Sequence, residues 1–455
     1  MYLLSRAKYC DPNICKRVLK MTTSTNIERN PLLEQFKEIR SSTLELVKTL
    51  EKDDFVVQSA FFTSPPKWHI GHVSWIYETI MSKIDKNYEF YSKEFSEYLN
   101  SYYQQFGIPQ DKDKRGIISR PTTEQIFQYF NTISQRVNHF IESNALNNDA
   151  IKLIIIGLHH EYQHQELLVY DLQHLLAEQY RPVRKNEKPH STNFEQKSIE
   201  IKGGIYTMGY NGVDYCYDIE LPEHRVYLEN YAIDAFPVTN EQYLKFMENG
   251  GYDTYKYWLS DGWEKVKKNE WQSPMYWEKT DGQWKVRDFL GIRKLNPKEP
   301  VCHVSYYEAD AYCKWAGKRI PTEAEWEKAA CWNEEKLQKT IFPWGNENPT
   351  EQNSNLLESY HWGCTEIGSY PNGVSPSGCH QMIGDVWEWT ASEFIGYPGF
   401  KTGFEEYNDK WFTNQKVLRG GSFGTPKMSI RGSYRNFFRL DERWLFSGFR
   451  CAESI

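Results

Sequence analysis

Gly157-Leu158-His159-His160-Glu161-Tyr162-Gln163-His164-Gln165-Glu166-Leu167-Leu168 decides how this chain is read. Apolar residues recur around it at three-to-four spacing, the pattern of a helix. His160 and His164 stand four apart, so both imidazoles leave one face of that helix, near enough to share one metal ion. Two histidines leave a metal site incomplete. Downstream stand Asp171 and His174; at about 100° per residue, Asp171 falls near the His164 stripe and His174 points away from it. Upstream stands Ser64-Pro65-Pro66-Lys67-Trp68-His69-Ile70-Gly71-His72-Val73-Ser74-Trp75, with two histidines three apart at the start of an apolar, aromatic helix. The upstream source is favoured, which makes a three-histidine site built across two helices. The bland alternative is a set of satisfied core or surface histidines.

Working outward, Leu32–Leu50, Ile70–Lys86, Thr122–Asn144 and Asp149–Gln179 share the helical period. Thr122-Thr123-Glu124 after Pro121 supplies cap and first-turn chemistry for the third of them. Four such helices form a bundle over residues 30–180, and bundles build metal sites from side chains on facing helices. Residues 1–29 remain an unassigned tail, mixed and basic. Residues 181–197 turn polar and read as a linker. From 198 to 455 the character changes. Gly203–Gly209 and Glu223–Leu228 read as short strands, and Asn240–Asn249 and Tyr306–Ala316 as helices. The remainder is rich in Gly, Asn, Pro and Trp, so turn chemistry and Trp packing are expected to hold it together. The fold class is therefore a helical bundle followed by a loop-rich α+β domain.

Composition narrows the function. A chain of 455 residues suits two domains. Its net charge of −7 argues against a nucleic-acid or anionic-membrane binder. No apolar run approaches the roughly 18 residues of a membrane span. Nine cysteines, odd in number and without C-x-x-C spacing, fit free thiols in a reducing cytoplasm. With 16 Trp, 31 Tyr and 24 Phe, the chain can also line a pocket for a cationic ligand.

The C-terminal strings Pro237–Tyr243, Arg319–Glu327, Phe342–Gly345, Gly384–Thr390 and Val417–Ser422 resemble the formylglycine-generating-enzyme fold, in that family's order. Trp68–Trp75 together with His160–Leu168 resembles the DinB-type bundle. The fusion is similar to the EgtB-type sulfoxide synthases of ergothioneine biosynthesis. That resemblance implies an Fe(II)- and O2-dependent oxidoreductase that forms a C–S bond between hercynine and a thiol. It places the iron ligands on His72, His160 and His164, with His72 preferred over His69 as the second histidine of W-H-x-x-H. Three imidazoles leave coordination positions open, which suits a redox iron better than a closed structural zinc. It further implies that Gln163 bonds the hercynine imidazole, that Asn436 binds the hercynine end of the pocket, and that Phe437 faces the trimethylammonium group.

For the thiol, one branch of the family grips γ-glutamylcysteine with an Arg-x-x-Arg pair and has an Asp where this chain has Phe438. The stretch Pro109–Gly116 lacks that pair. The other branch uses cysteine and carries adjacent tyrosines, matched by Tyr102 and Tyr103. Cysteine is therefore the expected donor, Tyr102 and Tyr103 the catalytic candidates, and Arg115 and Arg120 the candidate carboxylate partners. Phe62 stands ten residues before His72, where the family usually has Asp. That departure keeps γ-glutamylcysteine, unmethylated histidine and a selenium donor as alternatives. Three rivals remain: a formylglycine-generating oxidase, which needs a reactive cysteine pair near the C-terminus; a zinc peptidase using Glu161 as base; and a metal-containing binding module without turnover.

Overall fold

A computed structural model describes residues 29–101, 103, 110–143, 146–176, 179–189, 191, 196–212, 214–403 and 408–455. The N-terminal part carries α1 (Arg29–Leu46), α2 (Pro66–Ile84), a short α3 (Lys93–Leu99), α4 (Thr123–Ser143) and α5 (Asn148–Leu176). Both α1 and α2 pack against α4 and α5. The four long helices are those expected from periodicity. α2 starts earlier than its apolar run because Pro66 occupies a first-turn position, where its missing N–H costs nothing. That start brings Trp68 and His69 inside the helix. The short α3, begun by Ser92 accepting from the Phe95 amide, spans seven residues, too few to show a period.

α5 is buried over most of its length, being wedged between the bundle and the C-terminal half. Gly157 permits its close approach to α2, since a Cβ there would lie 2.7 Å from the Tyr77 ring. Beneath the histidines lies a buried ion pair. Arg40 Nη1 donates to Glu161 Oε2 at 3.1 Å, while Arg40 Nη2 reaches Ser74 Oγ at 2.9 Å. Thr43 Oγ1 donates to the other Glu161 oxygen at 2.6 Å. Residues 181–197 form no helix or strand where described, yet the stretch is fastened down. Trp362 Nε1 donates to the Val183 carbonyl at 2.9 Å, and Lys188 pairs with Glu299 at 3.1 Å.

The C-terminal half holds small sheets. Ser198–Ile201, Tyr231–Asp234 and Ala452–Ser454 form one antiparallel sheet, and Gly204–Met208 pairs with His224–Leu228 in a second. A four-stranded sheet runs Asn436–Phe438, Lys416–Arg419, Trp387–Glu393, Ser447–Gly448, its last pair parallel. Helices Asn240–Glu248 and Tyr306–Trp315 match expectation. Helices Ser260–Lys268 and Glu323–Cys331 were not foreseen from periodicity; nine residues give barely two turns of signal. Capping boxes at Thr239/Gln242, Ser305/Glu308 and Thr322/Glu325 begin three of the four.

Three of the recognisable strings, Arg319–Glu327, Gly384–Thr390 and Val417–Ser422, meet in buried ion pairs and hydrogen bonds. Arg419 donates to Glu323 at 3.0 Å and also pairs with Glu327. Glu327 further accepts from Lys339 Nζ at 2.6 Å and the Gly209 amide at 3.0 Å. Trp326 Nε1 reaches Glu388 at 2.9 Å, and Glu388 holds Arg450 at 2.7 Å. Paired charges and an indole hydrogen bond thus tie the helix Glu323–Cys331 to the strands Lys416–Arg419 and Trp387–Glu393.

Candidate metal centre

α2 contributes His72 and α5 contributes His160 and His164, and one ligand nitrogen from each lies within 4.8 Å of the other two. His72 Nδ1–H donates to the Leu99 carbonyl at 2.6 Å, which fixes the ring and leaves Nε2 as a buried lone pair without a partner. Trp68 stacks on His72 at 4.5 Å and 11°, and Trp75 flanks it at 5.6 Å. The Arg115 guanidinium lies 3.4 Å from the centre of the Trp68 ring and bonds Ser64 Oγ.

Burial depresses all three imidazole pKa values, His160 to about 3 and the other two well below the ordinary range. The neighbouring histidines push His72 and His164 further down. These imidazoles are neutral near pH 7, the form that binds a metal. Converging neutral donors, a pre-oriented ring and a partnerless buried nitrogen fit a metal ion better than core packing does. Asp171, weighed as a downstream ligand, instead accepts from His69 Nε2 at 2.9 Å and from the Ser64 amide at 2.8 Å. Glu161 is taken up by Arg40 and Thr43, which removes the base a zinc peptidase would need.

The other candidates fall as follows. Gln163 Nε2 donates to Tyr434 Oη at 3.4 Å, linking the C-terminal segment 433–438 to the helix of His160 and His164. Asn436 Oδ1 accepts from the Phe437 amide at 2.9 Å, and the Phe437 ring stacks on Phe394 at 3.9 Å. Phe438 sets its edge against Trp444 at 5.9 Å, while Phe62 stacks on the same indole at 5.6 Å. Tyr103 is buried, 6.1 Å from Trp75, the indole that flanks His72. Tyr102 lies outside the described residues. Arg120 is exposed on the loop before α4, donating to the Ser119 carbonyl, and takes no part in the contacts above.

Sequence reading missed the junction beside His164. Glu166, two residues past His164, is buried and accepts from Trp387 Nε1 at 2.7 Å, Ser422 Oγ at 3.0 Å and Tyr170 Oη at 2.6 Å. Tyr217 Oη donates to the His159 carbonyl at 3.1 Å. Trp387 and Ser422 both lie in strings noted for their order; nothing in the sequence says that they face α5. The oxidase rival also loses its nucleophile. Gly432 occupies the segment where the cysteine pair belongs, and a Cβ there would meet Cys331 Sγ at 2.1 Å. Burial and Glu327 raise the Cys331 thiol to about 12, well away from a reactive thiolate.

Residues 184–455 match the family described as sulfatase-modifying factor enzyme 1-like domain, and residues 35–168 match the DinB superfamily. Among curated proteins, hercynine oxygenase of Mycobacterium tuberculosis is 38% identical over 240 residues, covering 52% of this chain and 56% of that relative. Hercynine oxygenase of Mycolicibacterium smegmatis is 36% identical over 267 residues, covering 57% and 61%. The matches thus span less than two thirds of either mycobacterial protein. Formylglycine-generating enzyme of Mus musculus is 32% identical over 286 residues, covering 56% of this chain and 74% of that one. The chain belongs to the sulfatase-modifying factor enzyme 1-like family, with a DinB-superfamily bundle fused ahead of that domain and curated relatives named hercynine oxygenase.

Proposed function

We propose that this protein is a non-haem iron(II), O2-dependent sulfoxide synthase that joins cysteine sulfur to the imidazole C2 of hercynine. The observation that carries the reading is the convergence of His72, His160 and His164 within 4.8 Å, the first two buried and His164 half-buried. The relatives' name supplies the acceptor, hercynine. The reaction balances with O2 alone. The C2–H and S–H bonds break and a C–S bond forms; one oxygen atom ends on sulfur and the other leaves as water with the two hydrogens.

An Fe(II) ion held by the three imidazoles would supply redox chemistry and open positions for substrates. The chain's own groups do the rest. The Leu99 carbonyl and the two flanking indoles hold His72 in one orientation. Gln163, on α5 beside His164 with a side-chain amide that both donates and accepts, reaches Tyr434 and is suited to orient the acceptor imidazole. Arg115 presents a guanidinium for a carboxylate. Tyr103, buried beside the indole that flanks His72, or its neighbour Tyr102 supplies the proton for the coupling step.

The test is to supply hercynine, O2 and Fe(II) with either cysteine or γ-glutamylcysteine and to identify sulfoxide products by mass. Cysteine is expected to be strongly preferred. The Arg-x-x-Arg pair is missing from Pro109–Gly116 and Phe438 stands in place of an acid, and each charge-assisted contact so lost is worth about 1.5–3 kcal/mol. Turnover of γ-glutamylcysteine with none of cysteine overturns the donor assignment, and turnover of histidine in place of hercynine overturns the acceptor. With the same assay, Tyr103→Phe is expected to divert product from C–S coupling toward plain thiol oxidation, a rate loss for coupling of about 10²-fold or more. An unchanged product ratio removes Tyr103 from the chemistry.

A further inference from the structure

His69 was set aside as a ligand, yet it is buried beside the centre with both ring nitrogens engaged. Its Nδ1 lies 3.2 Å from Nδ1 of His164, and its Nε2 lies 2.9 Å from Asp171 Oδ2. That carboxylate oxygen also receives the Ser64 backbone N–H at 2.8 Å, so it acts as an acceptor and His69 Nε2 must carry the proton. A neutral imidazole has one N–H. His69 Nδ1 is then a lone pair, and the proton between the two rings belongs to His164 Nδ1. A neutral His164 protonated at Nδ1 presents its lone pair at Nε2. Proton direction thus runs one way along the chain, from His164 to His69 to Asp171.

We infer that His69 and Asp171 are positioning residues: through this relay they fix the tautomer and ring plane of His164 and thereby set metal affinity. The inference rests on the reading of His72, His160 and His164 as one metal centre. It explains why two histidines occur in the upstream string when one ligand suffices, and why an aspartate from the far end of α5 is buried against the start of α2. A ligating histidine whose other nitrogen is hydrogen-bonded typically loses 10–100-fold in metal affinity when that partner is removed.

The polarity of the relay gives a test that packing alone does not pass. In His69→Gln the amide can donate to Asp171 and accept from His164, as the imidazole does. In His69→Leu it can do neither, although the volume is nearly kept. Co(II) affinity, measured by competition with a chromophoric chelator, is expected to fall about 10–100-fold in His69→Leu and Asp171→Ala, and to stay near the parent value in His69→Gln. The visible Co(II) bands should shift in the weakened pair only. Thermal unfolding of the metal-free proteins checks that each variant is folded. Equal affinities for His69→Leu and the parent overturn the inference, as do equal losses in His69→Leu and His69→Gln. A loss in both as complete as in His164→Ala makes His69 a ligand, which also overturns it. Failure of the parent itself to bind Co(II) sinks the metal-centre reading instead, so the two failures are distinct.

Discussion

His164→Ala is expected to abolish stoichiometric metal binding while leaving the bundle folded. Removing one of three converging imidazoles leaves two donors on adjacent elements, with no other group in the His72–His160–His164 set to take its place. The affinity loss should exceed the roughly 10–100-fold cost of losing an outer partner. His164 is half-buried whereas His72 is fully buried, so truncating it disturbs the fold less than truncating His72 would. Iron per chain by elemental analysis, with circular dichroism before and after heating, checks both halves. A variant that keeps full iron occupancy and activity shows that the site is misassigned.

The second large effect lies far from the metal. Glu327→Ala is expected to destabilise the C-terminal half by about 3–5 kcal/mol, the usual cost of breaking a buried ion pair from one side. Arg419 would stay fully buried with one carboxylate, Glu323, and Lys339 would lose its carboxylate. Burial by itself would raise the Glu327 pKa, but Lys339 and Arg419 outweigh it and hold the group at about 2. The folded value lies below the unfolded one. The stabilisation is therefore complete above about pH 4.5 and is lost as pH falls toward 2. Chemical denaturation of parent and variant at pH 7 and pH 3 tests this. The gap should narrow in acid; an equal gap at both pH values, or a gap under about 1 kcal/mol at pH 7, contradicts it.

Much of this was legible in the sequence because it depends on short-range spacing. The i,i+4 relation of His160 and His164 needs nothing beyond helical geometry, and the four long apolar periods located the bundle. What escaped depends on which surfaces meet. Glu166 reads as an ordinary helix residue until Trp387, Ser422 and Tyr170 are seen around it. Asp171 lay on the right stripe for a ligand, and its role changed because His69 stands between it and His164. The helix Glu323–Cys331 was hidden because its carboxylates serve buried ion pairs rather than an amphipathic face. Phe437 was assigned through resemblance, and its stacking on Phe394 could not be foreseen from spacing.

The Glu166 junction bears on how the chain could be re-engineered. One carboxylate oxygen, two positions past His164, collects an indole from the strand Trp387–Glu393 and two hydroxyls from the loop after Lys416–Arg419. Transplanting this bundle onto a foreign C-terminal module would strand that oxygen unless Trp387, Ser422 and Thr425 had equivalents in the recipient. The register of α5, and with it the aim of two imidazoles, would then drift. Hybrids that keep those three side chains should retain a metal-competent pocket, whereas hybrids that match only the domain border should fold and load poorly.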